Sequence, residues 1–350
     1  MQAPSLLKAG ILTLILVVVS VISWECYVRS KGFDTSYDDG PPLWSHIRGM
    51  VYEPKDKSTV FIGSSRIKFD LDVKTWESIT GDHAIQLACV GSTPIPQLKN
   101  LADDEKFKGR LIVDVTEVLF FSLAPPNAST PEEDIKYYKS LSPAQRASFV
   151  LDQGLESQFA FLDKDRLSLN ARLAELRIPN RPGVFEFPLF PPGFGRSKSS
   201  RQEYMTDAFL TDTNQINQVR GVWKFIQTIT KDPPLSGHPL DSLLNVVKTC
   251  VDKIKARGGE VLFVRTPSSG PFLMGENMGY PRAKYWDRIL AVTNCPGIYF
   301  ADYPAMAHFV CPEFSHLSQP DAILYTKELI KILSAEKGWK FPKPIQSSTN

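Results

Sequence analysis

Five short apolar runs separated by stretches of helical length constrain the fold of this 350-residue chain more than any other feature. Residues 58–63 (STVFIG), 85–90 (IQLACV), 110–115 (RLIVDV), 260–264 (EVLFV) and 297–301 (GIYFA) are too short for core helices and rich in Val, Ile, Leu and Phe. Residues 70–79, 96–107, 243–254 and 282–292 read as the intervening helices, and 322–333 as a closing helix capped near Ser318. Gly258 and Gly259 stop the helix over 243–254. Apolar strands that alternate with helices imply a parallel sheet covered on both faces. The expectation is an α/β fold: a three-layer α/β/α arrangement around a mostly parallel five-stranded sheet.

The alternation lapses over about 122–239, which reads as a large helical insertion. Thr130-Pro-Glu-Glu133 and Ser142-Pro-Ala-Gln145 each place a hydroxyl three residues before an acid or amide, with Pro between, as at helix starts. Ile216, Val219, Val222, Trp223, Ile226 and Ile229 recur at helical spacing. Residues 178–200, rich in Pro, Gly and Phe, read as irregular. They are either a surface crossing whose Phe rings tuck into the insertion or a lid or substrate wall.

Residues 9–24 (AGILTLILVVVSVISW) carry no charge and, with their flanks, match the thickness of a bilayer core. No small-residue cleavage site comes after them, so an uncleaved anchor over 1–30 is expected in preference to a signal peptide. A tether over 31–57 then leads to the main domain, 58–340, with a flexible tail over 341–350. A short N-terminal anchor usually exports the chain on its C-terminal side, which places the large domain outside the cytoplasm. Lys and Arg number 40 against 38 Asp and Glu, a net charge of +2 without a long like-charge block, so nucleic acid is not an expected partner. The cysteines Cys26, Cys89, Cys250, Cys295 and Cys311 form no C-x-x-C pair; Cys295 and Cys311 either bridge or are buried thiols.

The candidate chemistry begins at Ser65, in Phe61-Ile-Gly-Ser-Ser-Arg66. A serine just after a strand lies at the carboxyl edge of a parallel sheet, where open α/β folds bind ligands. Serine needs a base to become a nucleophile. Of His46, His83, His238, His308 and His316, the last two come after the final strand, and only His316 has a carboxylate three residues earlier, Glu313. His308 is the reserve. Arg265, after the fourth strand, either binds an anionic substrate group or pairs with a carboxylate. Tyr285 and Trp286 beside Arg282 and Asp287 are either a sugar platform or core, and Arg66 is read as a turn cap.

Gly63-Ser64-Ser65-Arg66, Gly91 after the second strand, and Glu313-x-x-His316-Leu-Ser resemble sequence blocks of the SGNH/GDSL hydrolase superfamily, nearest to its membrane-anchored cell-envelope branch. The resemblance covers roughly 58–120 and 240–335. It implies Ser65 as nucleophile, Gly91 as a backbone oxyanion donor, His316 as base and Glu313 in the orienting position usually held by Asp. The substrate it implies is an acyl ester on a cell-envelope or extracellular carbohydrate, processed by an esterase or an O-acyltransferase without metal or organic cofactor. Ser64 stands where the family has Asp. The third block's Gly-x-Asn-Asp is replaced by Asp114-Val-Thr-Glu117, leaving Thr116, Asn127 or Arg265 as possible substitutes for its side-chain donor. The competing expectation is a non-catalytic envelope protein that binds a glycan or an assembly partner. A nucleotide-binding protein is excluded because neither G-x-G-x-x-G nor G-x-x-x-x-G-K-[ST] comes after any predicted strand.

Overall fold

The structure, a computed structural model, describes residues 6–176, 181, 183–230 and 232–343. Residues 177–180 and 182 of the expected irregular segment, residue 231 of the insertion and 344–350 of the tail lie outside the described residues. The chain divides into two compact units, one holding Met1–Asp38 with Pro143–Phe185 and the other Asp39–Ser142 with Glu186–Asn350.

In the first unit, the helix Leu6–Ser30 contains an 18-residue stretch of mean hydropathy 2.5 and is long and apolar enough to cross a membrane, a test that a signal sequence also passes. Its last turns are held by the segment after Pro143. The Glu25 carboxylate accepts from the backbone N–H of Ala160 (2.9 Å) and Phe161 (3.2 Å), and Arg29 donates to the Gln158 carbonyl. The segment from Pro143, read from the sequence as part of the helical insertion, therefore falls in one compact unit with the apolar helix. Charge satisfaction of Glu25 by backbone 135 residues away leaves no local sequence signal.

The second unit is built on seven strands: β1 (Ser58–Ile62), β2 (His83–Gln86), β3 (Arg110–Asp114), β4 (Arg196–Ser197), β5 (Glu203–Tyr204), β6 (Glu260–Arg265) and β7 (Gly297–Tyr299). Five form one parallel sheet in the order β2-β1-β3-β6-β7, and β4 and β5 pair as a separate antiparallel ribbon. The central strands are fully buried, as their unbroken apolar runs require. The step β1→β2 runs one way across the sheet and β2→β3, β3→β6 and β6→β7 run the other. Right-handed crossovers then put Val73–Thr80 on one face and Ile95–Asp103, Gly237–Ala256 and Trp286–Thr293 on the opposite one. Contacts respect that division: Gly237–Ala256 packs on Ile95–Asp103 and Trp286–Thr293, while Gln319–Ala335 packs on Ser65–Asp70 and Val73–Thr80. The direction reverses between β1 and β3, so a crevice opens at their carboxyl ends, where Ser65 and Thr116 sit.

Some boundaries differ from the sequence reading. β2 ends at Gln86, although the Leu87 and Cys89 N–H groups still donate to the Phe61 (2.8 Å) and Gly63 (3.2 Å) carbonyls, and the Gln86 side chain bonds the Ile67 carbonyl and the Ala88 N–H. One helix starts at Pro126, so Pro131 lies inside it and Thr130 is no cap. Thr213–Ile229 forms as expected, capped by Asp212, whose carboxylate accepts from Asn214 (2.9 Å) and Gln215 (3.4 Å). Cys295 and Cys311 are unbridged thiols that donate to the Thr293 and Pro267 carbonyls.

The turn after β1 has no spare volume. A Cβ on Gly63 would meet Asp114 Cβ at 2.6 Å and Ile67 Cγ2 at 2.7 Å, distances that demand a backbone shift of the turn carrying Ser65. Gly63→Ala is expected to lower stability by about 1–3 kcal/mol, read as a fall in denaturant midpoint. An unchanged midpoint would show that the turn gives way freely.

Candidate active site

Ser65 opens the short helix Ser65–Asp70, so its N–H has no intrahelical acceptor. Ser64 is the cap: its hydroxyl accepts from Arg66 N (3.4 Å) and shares a 2.6 Å hydrogen bond with Thr116. His316 lies on the loop before Gln319–Ala335. That loop is tied to the helix Ser65–Asp70 on both sides of the histidine. Arg66 Nε donates to Ser315 Oγ (3.3 Å), and Leu317 N–H donates to Asp70 Oδ1 (2.9 Å). Burial and nearby carboxylates push the Asp70 carboxyl well above its usual range, even though the Leu317 N–H opposes this.

The result is a line of three side chains. Ser65 Oγ lies 2.8 Å from His316 Nε2, and His316 Nδ1 lies 2.9 Å from Glu313 Oε1. An ionised carboxylate only accepts, which assigns the ring proton to Nδ1 and leaves Nε2 to receive the serine proton. Glu313 is fully buried and His316 is 1% exposed. The extra methylene of Glu relative to Asp is absorbed by the turn. Phe314 takes a left-handed conformation (φ 82°), and Glu313 Oε1 also accepts the His316 backbone N–H at 2.6 Å. The Phe314 ring is held between Gly270, where a Cβ would approach it to 2.9 Å, and the Arg220 guanidinium, 4.4 Å from its centroid.

Trp223 completes the line: its indole Nε1 donates to Glu313 Oε2 at 2.5 Å. In the sequence this residue reads only as an apolar position of its helix, and nothing local marks a carboxylate 90 residues later as its partner. The rings of Phe69 (4.5 Å), Phe194 (5.7 Å) and Trp223 (6.0 Å) surround the imidazole.

Gly91 lies beside the turn that carries Ser65. Cys89 N–H donates to the Gly63 carbonyl (3.2 Å), drawing the loop after β2 against the β1 turn. Gly91 takes φ +61° with open space where a Cβ would be, so glycine is needed there for backbone conformation. It is exposed, and among the described residues its N–H has no protein acceptor.

The proposed substitutes for a side-chain oxyanion donor are otherwise engaged. Thr116 Oγ1 donates to Asp114 Oδ2 (2.9 Å) and bonds to Ser64, so its one proton is committed. Asn127 Nδ2 donates to Ser122 Oγ (2.9 Å). Arg265 is fully buried and does not reach the surface. Its guanidinium bonds Glu117 (3.0 Å), the Thr266 carbonyl (2.7 Å), Ser268 (2.9 Å) and Glu276, because an unpaired buried charge is costly. Arg66 reaches the same Glu276. Burial works to raise the Glu276 carboxyl, but Arg66 and Arg265 outweigh it and bring it down to about 2. Arg66 is thus an anchor between two elements rather than only a turn cap.

The remaining candidates are structural. Tyr285 and Trp286 are buried, with Tyr285 Oη donating to the Leu235 carbonyl, so they form no sugar platform. His308 is exposed beside the Pro304 carbonyl, His83 pairs with Glu53 and His238 with Ser242. A cavity of about 450 Å³ lies by the amino ends of β1, β3 and β6 among Tyr52, Lys55, Lys106, Lys108 and Arg257. It contains no nucleophile–base pair; Ser65, 9% exposed, lies at the opposite, carboxyl edge of the sheet. No group of metal-ligating side chains occurs among the described residues.

Neither a family model nor a curated protein matches the chain. The geometry therefore carries the functional argument.

Trp223→Phe keeps an aromatic ring but removes the donor to Glu313. A hydrogen bond to a charged group is worth about 1.5–3 kcal/mol, so kcat for any Ser65-dependent reaction should fall about tenfold with KM little changed. An unaffected kcat would assign Trp223 to packing alone.

Proposed function

We propose that the chain is a serine-dependent acyl-transfer enzyme of SGNH/GDSL type, anchored by its N-terminal helix with the larger unit outside the cytoplasm. The observation that carries this reading is the 2.8 Å contact between Ser65 Oγ and His316 Nε2, with Glu313 behind the imidazole at 2.9 Å. As His316 Nε2 removes the hydroxyl proton, Ser65 Oγ bonds the acyl carbon and the carbonyl electrons move to its oxygen. The N–H groups of Ser65 and Gly91 receive that oxyanion. Collapse expels the alcohol, which takes the proton from His316 and leaves an acyl-Ser65 ester. Water then regenerates the serine in an esterase, or a sugar hydroxyl does so in an O-acyltransferase. The substrate class is an acyl ester on a cell-envelope or extracellular carbohydrate.

Two backbone donors without a side-chain third predict modest turnover, since one such donor is typically worth about 3 kcal/mol, or ~100-fold. The commitment of Thr116 and Arg265 to internal partners favours a second reading, a non-catalytic envelope protein that uses the same crevice to bind a glycan or assembly partner. A fluorophosphonate probe separates the two. The enzyme reading expects a covalent adduct mapped to Ser65, abolished in Ser65→Ala and slowed at least ~10³-fold in His316→Ala. Intact, detergent-solubilised protein that never labels at Ser65 would favour the binder.

A further inference from the structure

The aromatic shell of His316 does not end at the histidine. From Trp223 it continues to Phe190 (5.2 Å between centroids), Phe190 lies 6.3 Å from Phe187, and Phe187 packs edge-on against Phe225 (5.9 Å). Burial falls along this row, from an imidazole at 1% exposure to Phe190 at 39%, Phe187 at 42% and Leu189 at 59%. Residues 186–195 form no helix or strand. A soluble surface rarely presents so many neighbouring large apolar side chains without a use for them.

The chemistry of the surface selects its occupant. Among residues 186–195 (EFPLFPPGFG) the only charge is Glu186, and Pro188, Pro191 and Pro192 have no N–H to offer. The Leu189 carbonyl is already taken by Gln218 Nε2 at 2.8 Å. A sugar stacked there would find few partners for its hydroxyls, whereas a hydrocarbon chain needs none. An acetyl group would end beside Ser65 and leave the row unused.

We infer that the surface running from Trp223 through Phe190 to Phe187 and Leu189 binds the acyl chain of the substrate, and that this chain is a medium or long hydrocarbon. The inference rests on the acyl-transfer reading of Ser65 and deepens it by naming the acyl class. Burial of each further methylene against the row lowers the barrier to acylation, so selectivity increases with chain length.

The test measures kcat/KM of the full-length protein in nanodiscs for p-nitrophenyl acetate, butyrate and octanoate, with a Phe187→Ser/Leu189→Ser double variant alongside. The expected octanoate-to-acetate ratio is at least ~10 in the parent and falls toward about 1 in the variant. A flat parent profile, or a ratio the variant preserves, overturns the inference while leaving Ser65-dependent turnover intact. If no ester is turned over in a Ser65-dependent way, the acyl-transfer reading fails separately. Calorimetric binding of octanoate to Ser65→Ala then decides the surface: uptake lost on adding the two substitutions supports an acyl site, and no uptake overturns it.

Discussion

The Ser65–His316 hydrogen bond joins two stretches of chain 251 residues apart, and the rest of the site depends on how that approach is held. Arg66 on Ser315 and Leu317 on Asp70 fasten the loop to the helix Ser65–Asp70 immediately before and after the histidine. With both neighbours fixed, the imidazole has little freedom except rotation, and Glu313 removes that by binding Nδ1 and the His316 backbone together. On the proposed acyl-transfer reading, such fixing keeps Ser65 Oγ and His316 Nε2 within reach of each other before a substrate arrives, so little entropy is lost at reaction.

The low dielectric around this line works in two directions. Aromatic rings around His316 strengthen its interaction with Glu313, and the same exclusion of water makes every unpaired charge nearby costly. Arg66, Arg265, Glu117 and Glu276 answer this by pairing among themselves beneath the crevice. Arg265 is therefore committed to the scaffold, although its place at the end of β6 suggested a substrate contact. Ionised Glu276 holds both arginines and so supports the turn that presents Ser65.

How much was legible in the sequence depends on the range of each interaction. The five strands and most helices read directly from period and composition because burial of a parallel strand demands an unbroken apolar run. The mutual approach of Ser65, His316 and Glu313 was also legible, since each sits at a fixed offset from a strand end or from another of the three. Trp223 was not, because its partner is Glu313 in a distant segment and its own helix gives it an ordinary apolar position. Thr116 reads in the sequence as a substitute for the missing side-chain oxyanion donor, and Arg265 as such a donor, as a binder of an anionic substrate group or as the partner of a carboxylate. Sequence does not reveal that Asp114 and Ser64 occupy the one, or Glu117 and Glu276 the other. The packing of residues 158–161 with the end of the apolar helix was hidden for the same reason.

The most direct test of this account is an experimental structure of the protein after reaction with a short alkyl fluorophosphonate. The account predicts phosphorus bonded to Ser65 Oγ, the phosphoryl oxygen within about 3 Å of the Ser65 and Gly91 nitrogens, and His316 Nε2 still facing the adduct. Phosphorus on another side chain, or an imidazole turned away from Ser65 with Glu313 bonded elsewhere, would contradict it.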